Sequence, residues 1–111
     1  MEHMLYEEWT ESERDKLKEA YLYMLNTLCQ HYFNQEKFDK TIQMAKRMLD
    51  KDNCMEEVHR LLMKCYLRQG KNTKAIRQFL KCRDILEKEL GVAPSKQTQE
   101  LHDQIRQLPG Y

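Results

Sequence analysis

The residue types most able to do chemistry in this 111-residue chain are four cysteines and four histidines. Both types bind transition metals, and a cysteine beside a histidine can act as a nucleophile. The eight residues are Cys29, Cys54, Cys65, Cys82, His3, His31, His59 and His102. None has the C-x-x-C, H-x-x-x-H or H-E-x-x-H spacing that would gather ligands on one face. The spacing therefore argues against a metal site, and His59 is interpreted as a packing residue.

Other catalytic arrangements are also missing from the sequence. Ser12 and Ser95 are expected at helix starts, where serine caps the backbone, and no glycine-rich phosphate loop occurs. The many carboxylates lie on the polar faces of amphipathic segments. We therefore predict a protein that is not an enzyme and uses no cofactor.

The sequence favours a cytoplasmic location. No apolar run approaches the length that spans a bilayer, and the start MEHMLYEEW lacks a basic head followed by an apolar core. The four cysteines stand mostly among apolar neighbours, which suits reduced thiols in a core better than disulfides. They are predicted to be small core residues.

Charge is distributed unevenly, although the formal net charge is only +1. Residues 1–20 carry seven acidic against three basic side chains, and residues 64–88 carry eight basic against two acidic ones. A nearly neutral total does not by itself imply nucleic acid as a partner. Opposite charge in two parts of a small domain favours oriented association, with a second copy or with another protein.

Hydrophobic spacing predicts helices throughout and no strands. The first helix is expected to begin near Thr10, because Thr10 and Glu13 have the spacing of a capping box, and to end near Gln35. A second is expected from about Phe38 to Leu49. The apolar stripes of these two helices comprise Leu17, Ala20, Tyr21, Met24, Leu25, Leu28, Tyr32, Phe38, Ile42, Ala45, Met48 and Leu49.

Turn signals separate two further helices. Asp52 and Asn53 are expected to supply a turn and a cap before the third helix. That helix should end at Gln69, because Gly70 tolerates a left-handed backbone. The apolar residues of the third and fourth helices are Val58, Leu61, Leu62, Cys65, Tyr66, Ala75, Ile76, Phe79, Cys82 and Leu86.

The stretch ELGVAPS, residues 89–95, predicts a rigid corner. Gly91 should end the fourth helix after Leu90 in a left-handed conformation, with Val92 folding back on the last turn. Pro94 excludes helix at the preceding residue, and Ser95 can accept hydrogen bonds from the free amides of the next helix. A fifth helix is then expected to fold back across the fourth and close the domain. Its apolar residues are Leu101, Ile105 and Leu108.

A 34-residue repeat is the most specific signal in the chain. The pairs at this separation are Leu28 and Leu62, Tyr32 and Tyr66, Gln35 and Gln69, Thr41 and Ala75, and Ile42 and Ile76. This period and these residue types are typical of the tetratricopeptide repeat, whose antiparallel helix pairs stack because each has an apolar face that it cannot cover alone. We therefore predict an all-α, tetratricopeptide-like right-handed superhelix of about five helices, with the fifth as a C-terminal cap.

Three stretches resemble a known family, the bacterial transcriptional activator domain of regulators of the antibiotic-regulatory-protein type. They are EEWTESERDKLKEAYL, EEVHRLLMKCYLRQGKNTKAIRQF and LEKELGVAPSKQTQELHDQI. The third is the most specific, because it places a helix, an ELGV-x-PS corner and a short helix in the order of the family's C-terminal signature. Lys96 and Gln97 depart from the Pro and Glu that the family tends to have after Ser95.

The resemblance implies a regulatory, oligomerisation and protein-interaction module of a cytoplasmic bacterial transcription activator. Family members usually carry an earlier helical pair and a winged-helix DNA-binding domain, which have no counterpart here. Residues 1–111 are therefore expected to be one domain, the C-terminal part of the module, with DNA bound only through the winged helix. The implied partners are a second copy, other domains of the regulator or the transcription machinery. The alternative is a free-standing tetratricopeptide scaffold that binds peptides outside transcription.

In tetratricopeptide arrays the first helix of each pair lines a concave surface, at positions offset from the packing residues. Carried over by register, this predicts an interaction groove formed by Tyr23, Asn26, Gln30, Phe33, Arg60, Lys64, Leu67 and Arg68. Apolar contact mixed with positive charge suits an acidic segment or a carboxylate-bearing peptide. The alternative is that two repeats make too shallow a groove, or that the fifth helix or another helical pair fills it.

Two surface properties remain open from the sequence. Lys74, Arg77, Lys81 and Lys88 share one side of the fourth helix, where they suit either phosphate contact or, as the interrupting acids favour, a solvated face. The apolar residues before and within the first helix are expected to be core. If an earlier helical pair normally covers part of this surface, its absence leaves an apolar patch exposed here. The chain would then form a dimer or larger species. The residues before that helix are Leu5, Tyr6 and Trp9.

Overall fold

The computed structural model of the chain describes the backbone of residues 2–109 and the side chains of residues 10–109. This part of the chain forms five α-helices and no strand, as predicted. The helices are α1 (Glu2–Asn34), α2 (Phe38–Lys51), α3 (Glu56–Arg68), α4 (Asn72–Leu90) and α5 (Lys96–Arg106). Consecutive helices pack against each other, and α5 also packs on α3. This order of contacts is compatible with stacked tetratricopeptide-like pairs.

The first helix begins earlier than predicted. α1 is continuous from Glu2, so Thr10 and Ser12 lie inside it and the predicted capping box is not its start. The stretch before Thr10 contains no glycine or proline, so nothing in the sequence stops a helix there. Three residues predicted to join the core have side chains outside the described part of the chain: Leu5, Tyr6 and Trp9.

The third helix ends through Gly70, as predicted. This glycine adopts a left-handed backbone with φ of 74°. Its N–H donates to the carbonyl of Leu67 at 2.9 Å, and the N–H of Lys71 donates to the carbonyl of Tyr66 at 2.8 Å. These two bonds form a Schellman motif, which satisfies carbonyls that the helix end leaves free.

The same motif ends α1, 34 residues earlier. Glu36 takes the left-handed position with φ of 60°, and the next N–H donates to the carbonyl of Tyr32 at 2.9 Å. The two repeat tyrosines also have matching neighbours. Lys40 Nζ lies 5.3 Å from the ring centre of Tyr32, and Lys74 Nζ lies 5.9 Å from that of Tyr66. The two copies therefore share the backbone at the end of their first helix and a lysine placed over the repeat tyrosine.

The core is built from positions that match in the 34-residue register. Five such pairs are buried: Leu25 and His59, Cys29 and Met63, Thr41 and Ala75, Ala45 and Phe79, and Met48 and Cys82. The fifth helix adds Ile105 to the core. At these five positions the repeat of the sequence is therefore also a repeat of burial.

The cysteines are free thiols, and three of the four are core residues as predicted. Burial raises the pKa of Cys29 and of Cys82 to about 11, and that of Cys65 to about 12. These three thiols therefore stay protonated near neutral pH and are poor nucleophiles. Cys54 is only half-buried and is not a core residue, because it lies in the turn between α2 and α3.

The turn before α3 forms as predicted, but its cap does not. Asp52 Oδ1 accepts a hydrogen bond from the N–H of Cys54 at 3.1 Å, which stabilises the turn. The residue that directly precedes the helix is Met55, which makes no side-chain cap bond. Asn53 therefore lies two residues too early to cap α3.

The corner after α4 follows the predicted course of the backbone. Gly91 is left-handed with φ of 65°, and the N–H of Val92 donates to the carbonyl of Leu86 at 3.3 Å. The Val92 side chain is nevertheless exposed, so only the backbone folds back. Leu108 was predicted on the fifth helix but follows its last residue and is also exposed.

Candidate interaction surfaces

The first helix is much longer than the helix that packs against it. The 33 residues of α1 extend about 50 Å and the 14 residues of α2 about 21 Å. Side chains from 14 to 20 are all exposed. Leu17, 69% exposed, and Met24, 50% exposed, are therefore not the core residues that the sequence predicted. Leu17 lies where α1 leaves the end of α2, and Met24 lies on a side of α1 that no element in the described part of the chain covers.

One face of α1 is uncovered where the matching face of α3 is buried. We call it the open face, and its three positions match three positions of α3 in the 34-residue register. They are Met24, Leu28 and His31, which match Val58, Leu62 and Cys65. The three α3 residues are at most 2% exposed, whereas Leu28 is half-buried and His31 is exposed. The α3 positions are covered because α3 packs on α2 as well as on α4.

A second surface, the cationic notch, lies where α1 leaves the bundle beside the end of α2. It is a groove of about 560 Å³ lined by Arg14, Leu17, Lys18, Tyr21 and Lys51. Lys51 Nζ lies 5.6 Å from the ring centre of Tyr21. The notch thus joins two apolar side chains with three cations. A ligand that carries apolar groups flanked by carboxylates would match both.

Part of the predicted groove is an open row of side chains. Tyr23, Asn26 and Gln30 are exposed along α1, and Lys64 is exposed on α3. Leu67 is half-buried and packs against the core. These positions are accessible to a partner, and their role in binding stays a prediction.

Phe33 and Arg68, also predicted groove residues, meet at the turn between α1 and α2. The ring of Phe33 contacts that of Phe38 edge-on, with 5.7 Å between the centroids. Arg68 Nη2 donates to Glu36 Oε1 at 2.6 Å, and the guanidinium carbon lies 5.1 Å from the centre of the Phe38 ring. These contacts join the end of α3 to the turn between α1 and α2.

Arg60, the remaining predicted groove residue, is bonded to the fifth helix. Its Nη1 donates to Thr98 Oγ1 at 2.9 Å and lies 3.7 Å from Glu56 Oε2. The fifth helix therefore lies against this end of the predicted groove, and the charge of Arg60 is used within the fold.

A comparison with the sequence models of known families shows the family of the chain. The sequence model of the bacterial transcriptional activator domain family matches residues 1–106, from the start of the chain to the last residue of α5. The chain belongs to this family. No curated protein and no solved structure matches it.

In this activator domain, Glu56 of α3 holds the ELGVAPS corner. Its carboxylate accepts hydrogen bonds from the Ser95 N–H at 3.0 Å, the Ser95 hydroxyl at 2.9 Å and the Thr98 hydroxyl at 2.6 Å. Ser95 precedes α5 as predicted, but its hydroxyl donates to Glu56 instead of accepting from the α5 amides. The hydroxyl is oriented by this charge-assisted hydrogen bond, in which the ionised carboxylate is the acceptor.

The same carboxylate replaces the acid that the domain lacks after its corner. The first turn of α5 contains no acidic residue, although negative charge there is favoured by the helix dipole. Burial acts to raise the pKa of Glu56, but the hydrogen bonds from Thr98 and Ser95 and the charge of Arg60 outweigh it. The pKa of Glu56 therefore lies below its ordinary value, and the group is ionised at neutral pH.

The histidine that matches Leu25 in the 34-residue register is a buried residue with partners for both ring nitrogens. His59 Nε2 lies 2.8 Å from the carbonyl oxygen of Asn53, and Nδ1 lies 2.8 Å from Gln78 Nε2. Because a carbonyl only accepts, Nε2 carries the proton and Nδ1 accepts from Gln78. Both ring nitrogens are thus hydrogen-bonded within the fold.

Three further properties of the activator domain bear on its surfaces. Within residues 10–109, no group of three His, Cys, Asp or Glu side chains is placed to hold a metal ion. None of the described helices is long and apolar enough to cross a membrane. The cations singled out on α4 are all exposed, and they are Lys74, Arg77, Lys81 and Lys88.

Proposed function

We propose that this activator domain is the regulatory and protein-interaction module of a bacterial transcription activator. In this proposal it is the C-terminal part of a larger tetratricopeptide-like module and works with a winged-helix DNA-binding domain elsewhere in the full-length protein. The observation that carries the proposal is the open face. The matching positions of α3 are buried on a helix that packs on both α2 and α4, whereas Met24 and His31 of α1 are exposed.

The open face has the chemistry of a surface that accepts a helical partner. A helix pair stacked on α1 would bury Met24 and complete the burial of Leu28, at positions that match the buried Val58 and Leu62 of α3. Covering the exposed half of Met24 alone would contribute about 1 kcal/mol. The helix pair would come from another part of the regulator or from a protein that the regulator binds.

Family membership favours this function over a free-standing peptide-binding scaffold outside transcription. The predicted groove is a second surface for the same function, open at Tyr23, Asn26, Gln30 and Lys64. An acidic segment bound there would serve the same regulator. The two surfaces lie on different sides of α1, so substitutions can separate them.

The proposal is tested by fusing the chain to a heterologous winged-helix DNA-binding domain and measuring transcription from a reporter with the matching operator. We expect the fusion to change transcription, and Met24→Glu with His31→Glu on the open face to abolish the change. Asn26→Glu with Gln30→Glu adds two acids to exposed positions of the same helix and is the matched control.

Each outcome of the fusion experiment has a defined meaning. A fusion that leaves transcription unchanged contradicts the proposed function. Loss of activity in the control pair alone would place the interaction in the predicted groove and not on the open face.

A further inference from the structure

The cationic notch has a complement within the chain itself. The first 13 residues contain five glutamates and no lysine or arginine, and they begin the same helix that carries Arg14 and Lys18. A straight helix cannot fold its own first turns back onto a groove further along its side. The acidic turns can therefore meet a notch only in another molecule.

Helical register places the complementary charges on one stripe of α1. Positions 7, 11, 14 and 18 are spaced by four, three and four residues, which keeps them on one side of a helix. In order they are Glu7, Glu11, Arg14 and Lys18. The same spacing continues to Tyr21 and the buried Leu25, so the stripe is the core-facing side of α1 prolonged beyond the bundle.

An order of two acids followed by two bases is complementary to itself when two helices run antiparallel. Position 7 of one helix then lies opposite position 18 of the other, and position 11 lies opposite position 14. Every pairing along the stripe joins opposite charges. A parallel arrangement would place like charges opposite each other, which is unfavourable.

We propose that two copies of the chain pair through antiparallel α1 helices, with the acidic first turns of each seated in the cationic notch of the other. The same surface is used by both copies, so the contact closes as a two-fold dimer. Exposed ion pairs add little affinity, so burial of Leu17 and Tyr21 supplies the attraction, and the charges set direction and register. The notch is distinct from the open face, and the inference deepens the proposed function by naming one partner.

Charge reversal on each half of the stripe tests the pairing. An acidic variant carries Arg14→Glu with Lys18→Glu, and a basic variant carries Glu7→Lys with Glu11→Lys. In sedimentation at micromolar concentration we expect the unchanged chain to be a dimer. Each variant alone should raise the dissociation constant at least about tenfold, because like charges then face each other. An equimolar mixture of the two variants should form a one-to-one heterodimer, because every pairing is again of opposite sign.

The matched control reverses two exposed cations outside both the notch and the predicted groove, with Arg77→Glu and Lys81→Glu. It makes the same change in net charge as the acidic variant and should leave the dimer intact. Circular dichroism checks that the variants keep their helix content. If either pair of substitutions unfolds the chain, Leu17→Glu at a 69%-exposed position tests the same contact.

The pairing is overturned if the unchanged chain is a monomer, if both charge variants remain dimers, or if their mixture stays monomeric. A dimer that survives Leu17→Glu overturns it as well. In a further outcome, the fusion still changes transcription from the reporter and the charge variants leave the dimer unaltered. That result would contradict pairing through the notch and would leave the proposed function standing.

Discussion

His59 and Leu25 occupy the same position in the two copies of the repeat, and both are buried. A leucine needs only apolar neighbours there, whereas an imidazole needs a partner for each ring nitrogen. The carbonyl of Asn53 and the amide of Gln78 supply those partners. The second copy therefore tolerates a polar residue in its core because a turn and the next helix satisfy it.

The burial of His59 predicts a pH dependence of stability. Burial lowers its pKa and outweighs the Asn53 carbonyl and Glu56, which act in the opposite direction. An unfolded histidine has a pKa of about 6.5, so between that value and the lower folded pKa the unfolded chain binds more protons. The free energy of unfolding is therefore expected to decrease as the pH falls below about 6.5.

His59→Leu, which copies the residue of the first repeat, should flatten this slope in urea titrations between pH 7 and pH 5. Some slope should remain, because the pKa of His102 is also lowered, first by burial and then by the positive charge of Arg106. The control is His31→Gln at an exposed position, which should leave the slope unaltered. An unaltered slope in His59→Leu would contradict the prediction.

The two left-handed glycines predict a second effect at this scale. A Cβ atom at Gly70 or Gly91 would meet no atom within 4 Å, so the cost of a side chain comes from the backbone conformation. Gly70→Ala and Gly91→Ala should each lower the free energy of unfolding by about 1 kcal/mol. Gly70→Asn should cost less, because asparagine adopts this conformation more readily. Equal losses for alanine and asparagine at Gly70 would count against a backbone cause.

At the scale of elements, the corner between α4 and α5 depends on a residue from a third element. Glu56 →Gln should lower the free energy of unfolding by about 1–3 kcal/mol at pH 7, because donors on Ser95 and Thr98 lose a charged acceptor. Glu57→Gln, an exposed neighbour, is the matched control and should have little effect. Chemical denaturation of both variants measures the difference.

The same contact sets a dependence on acid. The folded pKa of Glu56 is lowered, so its stabilising contribution is present above the unfolded pKa of about 4.3 and is lost as the pH falls through the folded value. The difference between the unchanged chain and the glutamine variant should therefore shrink in acid. A difference that stays constant from pH 7 to pH 3 would show that the carboxylate charge is not what holds the corner.

At the scale of the whole molecule, the two repeats are alike inside and different outside. Leu28 and Leu62 match in register, but Leu62 is buried on a helix that packs on both α2 and α4, whereas Leu28 is half-buried on the first helix of the stack. Leu62→Ala should cost about 2–5 kcal/mol and Leu28→Ala less than half as much. The two free energies of unfolding are compared in the isolated chain at equal concentration. Equal costs would mean that Leu28 is covered in solution, as it would be by a partner.

Several features could be predicted because they depend on local chemistry. The five helices, the left-handed Gly70 and Gly91 and the 34-residue register follow from residue types at short separations. The predicted start of α1 was wrong, because Thr10 and Glu13 match a capping box that forms only where the preceding residues are not helical. Within α1 they are simply two helical positions.

The surfaces could be predicted only in part, because they depend on contacts between distant residues. Arg60 was expected to face a groove, but Thr98, 38 residues away, takes its hydrogen bond. Lys51 joins the notch only because α2 ends beside α1. The missing acid after Ser95 was visible in the sequence, and it was the only sign that a carboxylate such as Glu56 would be needed.

The sequence alone determined the helical class, the repeat and the family of this protein, since these depend on periodicity and on residue types that act over one or two turns of helix. Only the tertiary structure decided which apolar positions are covered. Burial is a property of the neighbour as much as of the residue, and Met24 and Val58 hold the same register position. The helix of Val58 packs on both α2 and α4, whereas the helix of Met24 packs chiefly on α2.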